Sequence, residues 1–426
     1  MNTVINEVKS PRTGDSYYKI KHSSGLNIYV WPKEGYRSSY AIIGAKYGSI
    51  NTCFTRADGE RITVPDGIAH YLEHKLFESA EGDAFTRYAE TGASANAYTS
   101  FEKTCYLFSC TDRFEESFEI LLDFVQDPYF TAETVKKEQG IIGQEIKMYD
   151  DSPDWRVMFN MLGGMYHNHP VKIDIAGTVK TIAEITADKL YDCYNTFYNL
   201  NNMVLCVAGN VTAEQVLTIC DRMLKPDADF TAKSFLEDEP YEIVKPYVEQ
   251  LFPVSMPIFN LGFKERADAV LNERQLACTD ILLSALASPT SALYRELMDS
   301  NLINSSFAYE LFEGPGYCAV IFGGESRAPE QAAEMIKRAI AQIKENGISD
   351  EDFDIAKKAV YGDAVSALNS VSSIANSIAE YHFNGNEIFT YIDAIAGTQK
   401  ADVEARLREM LDTGNCTLSV VRNGEE

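Results

Sequence analysis

The sequence predicts an α+β fold of two related domains, each a mixed β-sheet with helices packed on one face. Three observations lead there. A length of 426 residues suffices for two or three domains that each bury a core. Strand-like segments alternate with amphipathic helical ones, the order that builds helix-on-sheet layers. The second half repeats the order of the first: Pro257–Lys264 (PIFNLGFK) resembles Ser39–Lys46 (SYAIIGAK), an apolar strand with a small residue ahead of a helix.

In chain order, strands are expected at Tyr17–Ile20, at Leu26–Trp31 after a Ser-Ser-Gly turn, and at Ser39–Lys46. A helix follows over about 67–81, with Asp66 placed to cap its free backbone N–H groups. Ala93–Thr99 and Lys103–Cys110, rich in Tyr, Thr, Phe and Cys, read as a β pair. Amphipathic helices are expected at about 113–126, 131–149 and 186–198, and a strand at Met203–Val207 closes the first half. Lys225–Pro246, with three prolines and six acidic residues, reads as an exposed connector between domains 1–224 and 247–426. Beyond Pro257–Lys264 come a helix at about 271–287 without histidine, a long helical pair at 328–345 and 350–381, and a last strand at Thr417–Val421.

Lys+Arg 38 against Asp+Glu 63 gives a net charge of −25, which disfavours nucleic acid and anionic membranes as partners. The acidity keeps a protein soluble, and it would also attract basic peptides. Nine cysteines, scattered and without a C-x-x-C pair, form neither a disulfide framework nor a cysteine zinc site. The first residues lack an apolar signal core, and no apolar stretch is expected to reach the ~18 residues that span a bilayer. A cytoplasmic protein is expected.

His70-Tyr71-Leu72-Glu73-His74 holds two of the six histidines, four apart, with a glutamate between them. On a helix, positions i and i+4 share a face at roughly 5–6 Å, and i+3 lies with them. Two neutral imidazoles at that spacing can both reach one Zn²⁺, and the adjacent glutamate can take a proton from water. The order H-x-x-E-H is the inverzincin signature, the reverse of H-E-x-x-H. Ile68, Leu72 and Leu76 form an apolar stripe, while His70, Glu73, His74 and Phe77 lie on nearly the opposite side. Tetrahedral catalytic zinc needs a third protein ligand. The helix over 131–149 offers Glu133, Glu138 and Glu145, of which Glu138 and Glu145, seven apart, share a face. Spacing does not choose between them.

Gly67–Glu78, with its H-x-x-E-H, resembles the zinc-site helix of the pitrilysin, insulysin and mitochondrial processing peptidase family. Glu138…Gly143-Gln144-Glu145 resembles that family's downstream helix. Further matches are Gly92–Thr99, Thr104-Cys105-Tyr106 and Tyr198–Leu205 with Gly209. The resemblance covers most of the first half in order and is nearest to short bacterial members with two related domains. It implies one Zn²⁺ per chain held by His70, His74 and Glu145, with Glu138 supporting the catalytic site and Glu73 as general base. It also implies that Asn96 and Ala97 lie on an edge strand that binds a short or unfolded peptide by β-addition.

Active members carry an arginine and, seven residues later, a tyrosine in the non-metal domain. Aligning the leucines of Ser291–Ser305 puts Met298 and Ser305 at those places, with Arg295 and Tyr309 nearby but fourteen apart. Losing one oxyanion donor costs about 10²–10³ in rate. The family contains heterodimers whose second chain carries that pair, so this chain is expected to be the metal-bearing subunit of one. A homodimer or a weakly active monomer competes with that. A non-catalytic peptide-binding or assembly subunit is the alternative function, opposed by the intact motif and both glutamates. His167 and His169, two apart in a loop, lack a third ligand nearby, and His22 and His382 show no constellation.

Overall fold

The computed structural model of the chain describes residues 3–80, 82–226, 230–267 and 270–424. Glu81 and residues 227–229 of the expected connector lie outside the described residues. The chain forms two compact units: Met1–Ile146, Asp174–Leu236 and Val365–Phe389 make the first, and Lys147–Ile173, Glu237–Ala364 and Thr390–Glu426 the second. Each unit therefore contains a segment from the other half of the sequence, unlike the contiguous domains 1–224 and 247–426.

The chain opens with β1 (Val4–Lys9), β2 (Ser16–Lys21), β3 (Asn27–Pro32) and β4 (Ser39–Ala45), then short β5 (Cys53–Thr55) and β6 (Arg61–Thr63). Next come α1 (Ile68–Leu76), the two-residue strands β7 (Glu78–Ser79) and β8 (Gly82–Asp83), and α2 (Ala84–Thr91). A hairpin of β9 (Ser94–Thr99) and β10 (Thr104–Cys110) leads to α3 (Phe114–Val125), α4 (Ala132–Asp150) and α5 (Pro153–Met165). Helices α6 (Val179–Ile182) and α7 (Ala187–Phe197), strand β11 (Met203–Gly209), helix α8 (Ala213–Met223) and β12 (Lys233–Ser234) follow. The second half holds β13 (Tyr247–Leu251), β14 (Ile258–Lys264), α9 (Glu273–Ala287), α10 (Ala292–Asp299), β15 (Ala308–Gly314) and β16 (Tyr317–Glu325). It ends with α11 (Pro329–Asn346), α12 (Asp350–Ala367), α13 (Val371–Asn384), α14 (Ile388–Gly397), α15 (Lys400–Glu409) and β17 (Cys416–Arg422).

The large sheet of the first unit runs β1-β2-β3-β11-β4-β10-β9, and that of the second runs β13-β17-β14-β16-β15. The two share a five-strand pattern. In each, one parallel pair (β3 with β11, β13 with β17) is followed by antiparallel pairs to the edge. β14 occupies the place of β4, as the repeat of PIFNLGFK and SYAIIGAK predicts.

Helices cover both faces of each sheet rather than one. In the first unit Ala41, Ile43 and Ala45 of β4 join the core that includes α1 and α3. On the other face α13 lies over β4 and β11, and a Cβ on Gly44 would stand 3.1 Å from the Phe383 ring. In the second unit Phe259, Leu261 and Phe263 face the main core. Helix α5 covers the other face, where a Cβ on Gly262 would stand 2.6 Å from Met161 Sδ. The small residue shared by the two repeats thus admits a close-packed helix in each unit.

Five further differences from expectation have physical reasons. The helix over 67–81 stops at Leu76, and β7 and β8 form a hairpin after it. Asp66 does not cap it; the N-cap is Gly67 at φ 88, without a side-chain bond. The helix over 350–381 breaks between Ala367 and Val371, where Ser370 accepts from the Ser373 N–H as a new N-cap. The run Glu273–Asp299 does reach the length and mean hydropathy of a membrane span, but 67% of its most apolar window is buried inside the protein. The connector is also not simply exposed. Glu239 bonds the buried Lys264 and accepts from the backbone N–H groups of His167, Asn168 and His169.

Candidate metal centre

Helix α1 is pinned at both ends of its role. At its start, Gly67 adopts a left-handed φ and passes so close to the next loop that a Cβ would stand 2.4 Å from the Ala176 carbonyl oxygen. Along its length, Ile68, Leu72 and Leu76 are buried in the core, and Tyr71 donates from its hydroxyl to the Val135 carbonyl of α4. That bond joins α1 to the helix that supplies Glu138 and Glu145. Phe77, expected on the site side, does both jobs: it stacks on Phe124 in the core and lines the groove beside the site.

Fixed in this way, His70, His74 and Glu145 converge, one ligand atom from each lying within 4.8 Å of the others. His70 Nε2 is 3.6 Å from Glu145 Oε1, and His74 Nε2 is 3.3 Å from Glu145 Oε2. The two imidazoles thus reach the two oxygens of one carboxylate, and the three residues stand close enough to share a single ion. Two imidazoles and a carboxylate are also the donor set of a catalytic zinc with one position left open. Glu138 Oε1 is 3.1 Å from His74 Nδ1 and so can hold the tautomer that leaves Nε2 free. His70 Nδ1 is buried and has no hydrogen-bond partner among the described residues.

The electrostatics of the cluster match that picture. Burial alone would lower the His74 pKa, but hydrogen bonds to Glu138 and Glu145 and the charge of Glu73 push it up to about 10. Hydrogen bonds from His70 and His74 hold Glu145 well below the usual carboxylate range, and that from His74 lowers Glu138. The cluster therefore favours positive charge among its carboxylates, at the place where a cation would bind.

Glu73 is 8% exposed, and its Oε2 accepts from the Thr99 hydroxyl at 2.7 Å. Glu73 and His74 line a groove of about 700 Å³ together with Asn96, Ala97, Phe77, Phe85, Glu138 and Ile141. Asn96 and Ala97 sit on β9, the edge strand of the large sheet, and the Asn96 side chain accepts from the Ala97 N–H. Glu133 is exposed at the first turn of α4 and takes no part in the cluster.

The remaining histidines have other partners. His22 bonds Ser24 and Asp221, and His382 bonds the Tyr29 hydroxyl. His169 is 1% exposed, with Nε2 on the Pro315 carbonyl and Nδ1 accepting from Val171 N–H, while His167 is exposed. They do not form a pair. In the second unit, Met298 is exposed near the end of α10 and Ser305 lies in an exposed turn. Arg295 bonds back to the Ser291 carbonyl of its own helix, and Tyr309 lies on β15. Sequence reasoning assigned no role to Tyr71 or Thr99, because their partners are 64 and 26 residues away and nothing local marks the pairing.

Comparison with known proteins adds to the geometry. Residues 60–179 match the family described as Insulinase (Peptidase family M16), and residues 184–360 match the Peptidase M16 inactive domain. The chain is 39% identical over 425 residues, covering 98% of this chain and 99% of the relative, to YmfH of Bacillus subtilis, described as an uncharacterised zinc protease. It is 26% identical to a second such protein of that organism, YmxG, over 74% of this chain and 78% of the relative. Among solved structures it is similar to an M16-like peptidase from Alicyclobacillus acidocaldarius, with TM-score 0.91, 33% identity, and 99% and 98% of the two chains covered. A protease from Helicobacter pylori shares the fold, with TM-score 0.82 at 19% identity over 99% of this chain and 100% of that one.

Proposed function

The chain belongs to the insulinase family, peptidase family M16, and from that membership we propose that it is a zinc-dependent endopeptidase of short or unfolded peptides, the metal-bearing subunit of a heterodimer. The observation that carries this reading is the convergence of His70, His74 and Glu145 on one point beside Glu73. Relatives described as zinc proteases and the closeness of the three donor side chains support one Zn²⁺ per chain.

The chemistry such an ion supplies when bound is acidification of water toward a pKa of ~7 and polarisation of a carbonyl. The chain's own residues do the rest. Glu73 accepts the proton of the attacking water and returns it to the leaving amine. Glu138 holds the His74 ring by its Nδ1–H. The edge strand β9 offers main-chain groups near Asn96 and Ala97 to an extended substrate, which fits a peptide that is short or unfolded.

The heterodimer follows from what α10 and the turn after it lack. Met298 cannot donate to an oxyanion, and Arg295 is engaged with its own helix. A partner chain bearing an arginine and a tyrosine seven residues later would supply those donors. Mixing this chain 1:1 with a related chain that carries the pair should raise zinc-dependent peptidase activity at least about tenfold. Full activity of this chain alone, unchanged by the partner, would overturn the heterodimer. Fewer than one zinc per two chains after loading would overturn the peptidase reading and favour a binding or assembly role.

A further inference from the structure

Glu73 is a buried carboxylate at the end of a groove, and such a group has two problems to solve. Its charge needs a partner, and its plane needs a fixed orientation if one oxygen is to meet a water. The structure supplies one donor for both purposes. Thr99, the last residue of β9, donates from its hydroxyl to Glu73 Oε2 at 2.7 Å. Among the described residues no other hydrogen bond reaches the Glu73 carboxylate, so Oε1 is left for water. The donor stands on a well-fixed base: Thr99 pairs with Thr104 of β10, and the Thr104 hydroxyl is tied to the Tyr47 carbonyl.

We propose that Thr99 is a positioning residue that sets the carboxylate of Glu73 for proton transfer, and that it couples this setting to the strand that receives the peptide. This rests on the peptidase reading above. Thr99 lies two residues beyond Ala97 on the edge strand β9. An added peptide strand would order β9 through main-chain hydrogen bonds, and the Thr99 hydroxyl would carry that order to Glu73. Without the hydroxyl, Glu73 keeps its place on α1 but loses its preferred carboxylate plane.

The test compares Thr99→Val, which keeps the side-chain shape, with Thr99→Ser, which keeps the hydroxyl. In crystals of the zinc-loaded T99V protein, the Glu73 carboxylate should occupy more than one rotamer, while T99S keeps the single one. A single unchanged rotamer in T99V overturns the inference whether or not the protein turns over peptide. In the zinc-loaded complex with its partner chain, T99V should lower kcat about tenfold with KM within about threefold, and T99S should recover most of kcat. Zinc content should equal that of the unsubstituted chain in both variants. An unaltered kcat in T99V, with Glu73→Gln inactive, would overturn the role of Thr99 and leave the peptidase reading standing. Loss of kcat in T99V that T99S fails to recover would also overturn it, since only the hydroxyl is in question.

Discussion

Helices α1 and α9 follow β4 and β14, which hold equivalent places in the five-strand pattern the two sheets share, yet one carries two side chains of a candidate metal cluster and the other is core. On α1, three apolar positions hold the helix to its sheet and leave Glu73 and His74 for the groove, with His70 beside His74 in the ligand cluster. On α9, Ala277, Ile281, Leu282, Leu283 and Leu286 are buried, and its acid Asp280 is engaged by the Tyr391 hydroxyl. The comparison teaches that the fold and the chemistry are separable here. Strand order follows from apolar patterning that both halves keep, whereas the site depends on a few polar side chains and on α4, which only the first unit presents to it.

The largest effect should come from Glu73, the proposed base. Glu73→Gln should keep zinc and lower turnover by about 10²–10⁴, whereas Asp280→Asn on α9 should leave both zinc and turnover unchanged; elemental analysis with a peptide assay reads each. Next, Glu138→Gln should weaken zinc binding about 10- to 100-fold, measured by competition with a chelator. An affinity within twofold of the unsubstituted chain would remove Glu138 from the site.

The two glycines of the repeats sharpen the comparison at the level of packing. Gly44→Ala would press its methyl on Cys105 and the Phe383 ring, rigid neighbours, while Gly262→Ala meets the ends of Met161 and Met165. Gly44→Ala should therefore cost about 1–3 kcal/mol and Gly262→Ala less, because thioether ends can move aside. Chemical denaturation of both variants reads the order.

The smallest effect is one of pH. In the first unit Glu138 and Glu145 are held below their ordinary range, so the stability they contribute is present above pH ~4.5 and lost as pH falls. In the second unit Glu265 is the opposite case. Burial pushes it up to about 7, despite a hydrogen bond from the Leu411 N–H and the charges of Arg406 and Lys344. The unfolded chain gives up that proton near pH ~4.5 and the folded chain near 7, so stability falls between those values as pH rises. Glu265→Gln should raise Tm by a few degrees at pH 8 and by nothing at pH 4.

Much of this was legible in the sequence, and the rest was not for identifiable reasons. Strands β2, β3, β4, β9, β10, β11 and β14 carry apolar and β-branched runs strong enough to be placed within a residue or two. Helix α5 was missed because Pro153 opens it and Gly163-Gly164 close it, which blurs its apolar face. The strands β7 and β8 are two residues each, too short to show a period, and the Gly67 cap depends on a close approach to Ala176, far along the chain. For the site, the spacing of His70, Glu73 and His74 is local and readable. The meeting of Glu145 with them is not, since it requires α4 to lie beside α1 at a register set by the Tyr71 bond. Thr99 could not be singled out, because a threonine ending a strand looks the same whether or not a glutamate waits across the groove.

The most direct test of the three-ligand site is anomalous scattering at the zinc edge from crystals of the zinc-loaded protein. One peak per chain is expected, about 2.0–2.2 Å from a nitrogen of His70, a nitrogen of His74 and a carboxylate oxygen of Glu145. A peak elsewhere, or none there at full zinc loading, would contradict it.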